Sequence, residues 1–209
     1  MSRSAADLLG VIRDHRLRVF TTSDVLTLTG MRRSAATHAL RRMAARRLVI
    51  RVRRGVWVNG MVADVSPYEL VRHLAAPWPA YVSLYSALAD HGVVQEIPHI
   101  TYAVTAGRTR RCQTPLGALY FHHLPARLIW GYVMKQVGQA VFPVAEPEKA
   151  WLDLAYLALT PRSPLALPPR RERRWPLNAA TLKAYAARFE YPPLAASLRR
   201  GRLGERKLL

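Results

Sequence analysis

The sequence predicts an α+β protein in two parts. Residues 1–60 read as an N-terminal winged helix-turn-helix, and residues 61–209 as a C-terminal α+β domain with a mainly antiparallel sheet and C-terminal helices. Three observations carry this reading. From Thr21 to Val58 the chain runs through a short capped helix, a Gly turn, a longer basic helix and a two-strand ribbon with a basic tip. From residue 61 onward helical patterns give way to short β-rich runs punctuated by Gly and Pro, and a strongly amphipathic helix follows them. The third observation is that charge is segregated along the chain.

The formal net charge is +19, with 32 Lys and Arg against 13 Asp and Glu. Residues 1–60 hold thirteen Arg against three Asp, residues 61–159 hold seven basic and seven acidic residues, and residues 160–209 hold twelve basic residues against three Glu. Both ends therefore read as phosphate-facing, and the neutral middle reads as something else. Half of the 209 residues are hydrophobic, enough for a core in each part. The single cysteine, Cys112, excludes a disulfide within the chain and argues against a structural zinc site. Charges interrupt the N-terminal apolar runs, which do not read as a signal peptide, and no apolar run approaches the ~18 residues of a membrane span. The expected location is the cytoplasm.

In chain order, Ser4 to Arg13 reads as a helix capped by Ser4, with Leu8, Leu9, Val11 and Ile12 as its apolar stripe. Thr22 or Ser23 is expected to cap the second helix, whose buried side is Val25, Leu26 and Leu28 and whose end is Gly30. The third helix spans about Arg33 to Arg46. At 100° per residue, Ala36, Ala39, Leu40 and Met43 share one arc of about 100°, and Ser34, Thr37, His38, Arg41 and Arg42 share another. Small buried residues let this helix pack closely. The opposite arc sets short hydrogen-bonding side chains near the N-terminal end and Arg farther along, the distribution that a helix entering a major groove needs.

Leu48 to Val52 and Val56 to Val58 alternate as strands around Arg53-Arg54-Gly55, and Trp57 reads as an anchor into the core. The candidate DNA-contacting residues are Ser23, Arg32, Arg33, Ser34, Thr37, His38, Arg41, Arg42, Arg51, Arg53 and Arg54. Ser66-Pro67 with Glu69 opens a helix as a capping box. Ala80 to His91 reads as a further helix. Val93-Val94, Ile100 to Thr105, Ala118 to His122, Ile129 to Lys135 and Val137 to Phe142 read as strands, and Glu146 to Leu159 as the amphipathic helix. The Pro- and Arg-rich stretch Thr160 to Asn178 reads as an exposed loop, in which Arg170, Arg171, Arg173 and Arg174 are candidate DNA backbone contacts. Asn178 caps a helix with Leu182, Tyr185, Ala186 and Phe189 on its apolar side, a short helix covers Leu194 to Leu198, and a basic tail follows.

Four pieces in this order resemble the AbiEi-type antitoxins of type IV toxin–antitoxin systems: the basic third helix, the Arg53 to Val58 wing, the run Tyr81 to Leu88 ending in His91-Gly92, and the helix start Glu146 to Leu154. The resemblance covers nearly the whole chain, except that the loop from Pro161 to Pro176 has no counterpart in the pattern. It implies a repressor of its own operon that binds promoter repeats in double-stranded DNA. It also implies a nucleotidyltransferase-like toxin as functional partner, without need of a stable complex. The alternative is a free-standing winged-helix regulator whose second domain senses a ligand or dimerises.

Catalytic readings are weaker. Glu146, Glu148, Lys149 and Asp153 contain the residue types of a nuclease centre, but the acids open a helix, where they complement its dipole, and the Glu148-Lys149 spacing is wrong. His122 and His123 alternate across a strand and cannot share one metal by that spacing. Ser83 and Ser86 read as capping and packing hydroxyls, with modification by a transferase toxin as the functional alternative. No Gly-rich phosphate loop or dinucleotide fingerprint is present, so no catalysis, metal or cofactor is expected.

Overall fold

The computed structural model describes residues 5–95, 98–161, 163–167 and 176–199. It is α+β: among these residues, eight α-helices accompany one three-stranded and one six-stranded sheet. Helix α1 (Ala5–Asp14) sends Leu8 and Ile12 inward from positions i and i+4. Strand β1 (Val19–Thr21) leads into α2 (Thr22–Thr29), and Gly30 closes that helix at φ 67°, a conformation that favours glycine. The cap of α2 is Thr21, one residue before the expected Thr22 or Ser23. Its hydroxyl accepts from the Asp24 N–H, and the Asp24 carboxylate accepts from the Thr21 N–H. The buried side of α2 is Thr22, Val25 and Thr29, whereas Leu26 and Leu28 are half-buried.

Helix α3 (Arg33–Ala45) buries Ala36, Ala39, Leu40 and Met43, the arc expected from its periodicity. Strands β2 (Val49–Arg53) and β3 (Val56–Asn59) form a hairpin turning at Arg54-Gly55, with an irregularity between Arg51 and Arg53. Strand β3 is the central strand of an antiparallel sheet of order β1-β3-β2. Leu8, Ile12, Phe20, Val25, Leu40, Met43, Val49 and Trp57 belong to one hydrophobic cluster under these helices.

A second, larger cluster begins with Val58 and runs through the rest of the described chain. Ser66 and Glu69 form the expected capping box, here over a 3₁₀ turn that precedes α4 (Leu70–Ala75). The six-stranded sheet contains β4 (Ala80–Val82), β5 (Ile100–Thr105), β6 (Arg110–Thr114), β7 (Gly117–His123), β8 (Tyr132–Val137) and β9 (Ala140–Ala145), in the order β6-β7-β5-β4-β9-β8. Helices α5 (Leu84–Asp90) and α6 (Pro147–Ala158) pack on each other, and α7 (Ala179–Ala187) and α8 (Pro192–Arg199) follow. Asn178 caps α7 as expected, accepting from the Thr181 N–H at 3.0 Å.

The sheet is mainly antiparallel, as expected, with three antiparallel strand pairs against two parallel ones. The β5–β7 and β4–β9 pairs are parallel, because the hairpins β6–β7 and β8–β9 each return their second strand beside an earlier one. Alternation of side chains is the same in parallel and antiparallel strands, so the sequence pattern could not distinguish them.

The expected helix from Ala80 to His91 is instead β4 followed by α5. Strand β4 is buried on both faces, so its apolar run lacks the alternation that marks a half-exposed strand. Val93-Val94 forms a bend, not a strand. Strand β6, polar and at an edge, had no apolar signal to reveal it. The expected strand at Ile129 to Lys135 starts at Tyr132, after a 3₁₀ turn. The last expected strand is shifted to Ala140–Ala145 by a turn at Gly138.

A buried arginine ties the N-terminal sheet to the segment before α4. Arg18, 8% exposed, donates to both Glu69 oxygens at 2.7 and 3.1 Å, and also to the Asp64 carboxylate and backbone carbonyl. These contacts, Glu69 first, raise the Arg18 pKa further, so its charge is fixed.

Candidate nucleic-acid interface

The outward face of α3 carries Ser34, His38, Arg41 and Arg42, all exposed, with Arg32 and Arg33 exposed at its N-terminal end. The helix contains no acidic residue. Among the described residues, none of these six side chains makes a hydrogen bond or ion pair. Thr37, half-buried, donates its hydroxyl back to the Arg33 carbonyl at 2.8 Å, which leaves its oxygen free only as an acceptor. The row exists because small Ala36 and Ala39 seat the opposite face closely against the core.

The hairpin turn is joined to the start of α2. The Thr22 N–H donates to the Gly55 carbonyl at 2.9 Å, and the Trp57 indole donates to the Thr22 hydroxyl at 3.0 Å. Trp57 is thus the core anchor that the sequence suggested, and Ser23, exposed, sits one residue from the turn. Arg51 and Arg54 are exposed. Arg53 is turned away: its guanidinium donates to the His73 carbonyl at 2.8 Å near the end of α4. Burial and the nearby Arg110 charge lower its pKa. His73 is held neutral, with its pKa lowered to about 4 by burial and by Arg72. The structure therefore joins the turn to the start of α2 and carries Arg53 to the end of α4, while Arg54 stays at the hairpin tip. Arg170, Arg171, Arg173 and Arg174 lie outside the described residues, as do Ser4 and the tail from residue 200.

Lys149 and Asp153, one helical turn apart on α6, pair in the second core with no exposure at all. Tyr81 and Ser83, two residues apart at β4, face the same side and both donate to Asp153, at 3.0 and 2.8 Å. The Lys149 ammonium also donates to the Tyr81 hydroxyl at 2.7 Å and lies 4.9 Å from the Trp130 ring centre and 5.1 Å from that of Phe189. Gly131, at φ 68°, passes so near that a Cβ would stand 3.0 Å from Lys149 Cγ. Burial lowers the Lys149 pKa and raises that of Asp153, each opposed by the other's charge. Such a saturated, closed network holds β4, α6 and the Trp130 loop in one arrangement.

Sequence reasoning set Lys149 and Asp153 aside as helix-start residues but did not place Ser83 and Tyr81 against them. Ser83 occupies the N-cap position of α5, but its hydroxyl serves Asp153 and makes no capping bond, and Ser86 accepts from the Tyr102 N–H at 2.8 Å. Both hydroxyls are fully buried, which puts them out of reach of a modifying enzyme in the folded state. Glu146 and Glu148 instead receive the Tyr185 hydroxyl and the Asn178 N–H from the α7 segment, at 2.5 and 2.6 Å. His122 is buried and His123 exposed, on opposite faces as their spacing requires. Among the described residues no cluster of three metal-ligating side chains occurs, and no helix is long and apolar enough to cross a membrane.

No protein-family model and no curated protein matches the chain.

Proposed function

We propose that residues 5–60 are a winged helix-turn-helix that binds duplex DNA through α3, with Ser34, His38, Arg41 and Arg42 toward the bases and Arg32, Arg33, Arg51 and Arg54 toward phosphates. The observation that carries this is the outward row on α3: basic and short polar side chains, exposed, without an acidic neighbour on the helix and without a partner among the described residues. Unpaired cations gathered on one helix face are the footprint of a polyanion. We further propose, from the residue resemblance set out above, that the protein represses its own operon and acts as the antitoxin to a nucleotidyltransferase-like toxin in the cytoplasm.

Fluorescence anisotropy with a duplex from upstream of its own gene tests the first part. With about six to ten phosphate contacts, affinity falls roughly a thousand-fold or more between ~50 and ~200 mM salt. Arg54→Ala weakens binding to all duplexes alike. His38→Ala changes which sequence is preferred, by about 1–3 kcal/mol per lost base contact. Equal effects of the two substitutions on every duplex would refute the groove assignment. Growth rescue on induction of an adjacent nucleotidyltransferase-like gene tests the second part, and failure to rescue leaves only the DNA-binding regulator.

A further inference from the structure

Among the described residues, seven large hydrophobic side chains are exposed, and five of them lie on one hairpin: Tyr132, Val133, Met134 and Val137 of β8 and Val141 of β9. Strand β8 is also an edge of the six-stranded sheet, so its outer backbone N–H and C=O groups have no ladder partner within that sheet. The opposite edge, β6, is defended by Arg110, Arg111 and Gln113. Strand β8 has no proline and no bulge, its register with β9 is unbroken, and its one charge, Lys135, is drawn aside to Asp90 at 2.7 Å. An unguarded apolar edge beside a guarded one is the mark of a strand that has a partner.

We propose that β8 pairs antiparallel with β8 of a second copy of this chain, joining two six-stranded sheets across a two-fold axis. A two-fold perpendicular to a continuous sheet must pair a residue with itself. Centring on Lys135 would oppose two ammonium groups, whereas centring on Met134 sets Met134 against itself and Val133 against Lys135. The four exposed β8 side chains offer roughly 350 Å² per copy, or about 700 Å² for the pair before the backbone edges are counted, which is the scale of a weak, reversible dimer. The dissociation constant is therefore expected in the micromolar range. Each copy carries a net charge of +19, so the copies repel and salt strengthens the dimer. That is the opposite of the salt response of DNA binding.

Sedimentation velocity on the full chain, from ~1 to ~200 µM at ~100 and ~500 mM salt, tests this. The expected result is a shift from monomer to dimer with concentration, reached earlier at the higher salt. Met134→Lys, at an exposed position that leaves the circular dichroism spectrum unchanged, weakens association at least ten-fold. In a Cys112→Ser background, Met134→Cys gives a disulfide-linked dimer on mild oxidation, because self-opposed Cα atoms in an antiparallel pair lie about 4.5–5.5 Å apart. Gln113→Cys on the opposite edge gives none. A monomer at every concentration overturns the proposal and leaves the edge to a strand of another protein. An open ladder of oligomers also overturns it, since that requires β8 to meet β6.

Discussion

Replacing the Lys149–Asp153 pair piecewise should reveal a charge pair that is costlier to break than to remove. Asp153 accepts from Lys149, Tyr81 and Ser83, and none of the four side chains reaches solvent. Asp153→Asn keeps an acceptor for the two hydroxyls but leaves the ammonium without its anion, at a cost of about 3–5 kcal/mol. Lys149→Met strands the carboxylate at a similar cost, softened by two hydroxyl donors; the thioether itself suits the space between Trp130 and Phe189. Together the two substitutions remove both charges and keep most of the packing, so the double variant should lose only about 1–2 kcal/mol. The coupling between the sites is then at least about 3 kcal/mol. Urea unfolding followed by tryptophan fluorescence reads it out, since Trp130 and Trp151 belong to this core and Trp57 to the other. A double variant as unstable as the sum of the singles would refute the reasoning, because the pair would then contribute as two independent packing groups.

Two further outcomes follow from the fold. Glu69→Ala leaves buried Arg18 with Asp64 alone and should cost about 2–3 kcal/mol; calorimetry should then show the two cores melting further apart, and a single unshifted transition would mean that Arg18 does not couple them. Burial, helped by Arg111, lowers the His122 pKa to about 4, and its Nε2 has no hydrogen-bond partner among the described residues. Between about pH 4 and the ordinary histidine value the unfolded chain binds the proton better, so stability falls as pH drops through that window, by up to about 3 kcal/mol. His122→Phe should flatten that part of the pH dependence and add about 1 kcal/mol at neutral pH by removing the orphaned nitrogen. An unchanged slope in the urea midpoint against pH would place the titration elsewhere.

What local chemistry controls was legible in the sequence. The α3 arcs, the Gly30 stop, the Ser66–Glu69 box and the Asn178 cap all depend on neighbours within a few residues or on helical periodicity. The cap of α2 was misplaced by one residue because Thr21, Thr22 and Ser23 are all chemically able to cap, and only the position of β1 selects among them. Contacts across long sequence separations stayed hidden. Strand β4 read as helix because burial on both faces erases its alternation, and the parallel pairs have no signature distinct from antiparallel ones.

The functional residues divide the same way. The sequence by itself determined that α3 presents a basic and short polar face, since helix geometry fixes which residues share a side. Only the tertiary structure decided that Arg53 turns to the His73 carbonyl while Arg54 stays at the tip, because that depends on where α4 ends. It alone joined Ser83 and Tyr81 to a carboxylate 70 and 72 residues away, since a buried charge finds its partners in space rather than along the chain. It also made Tyr132 to Val137 an exposed edge, a property of strand order that no apolar run announces.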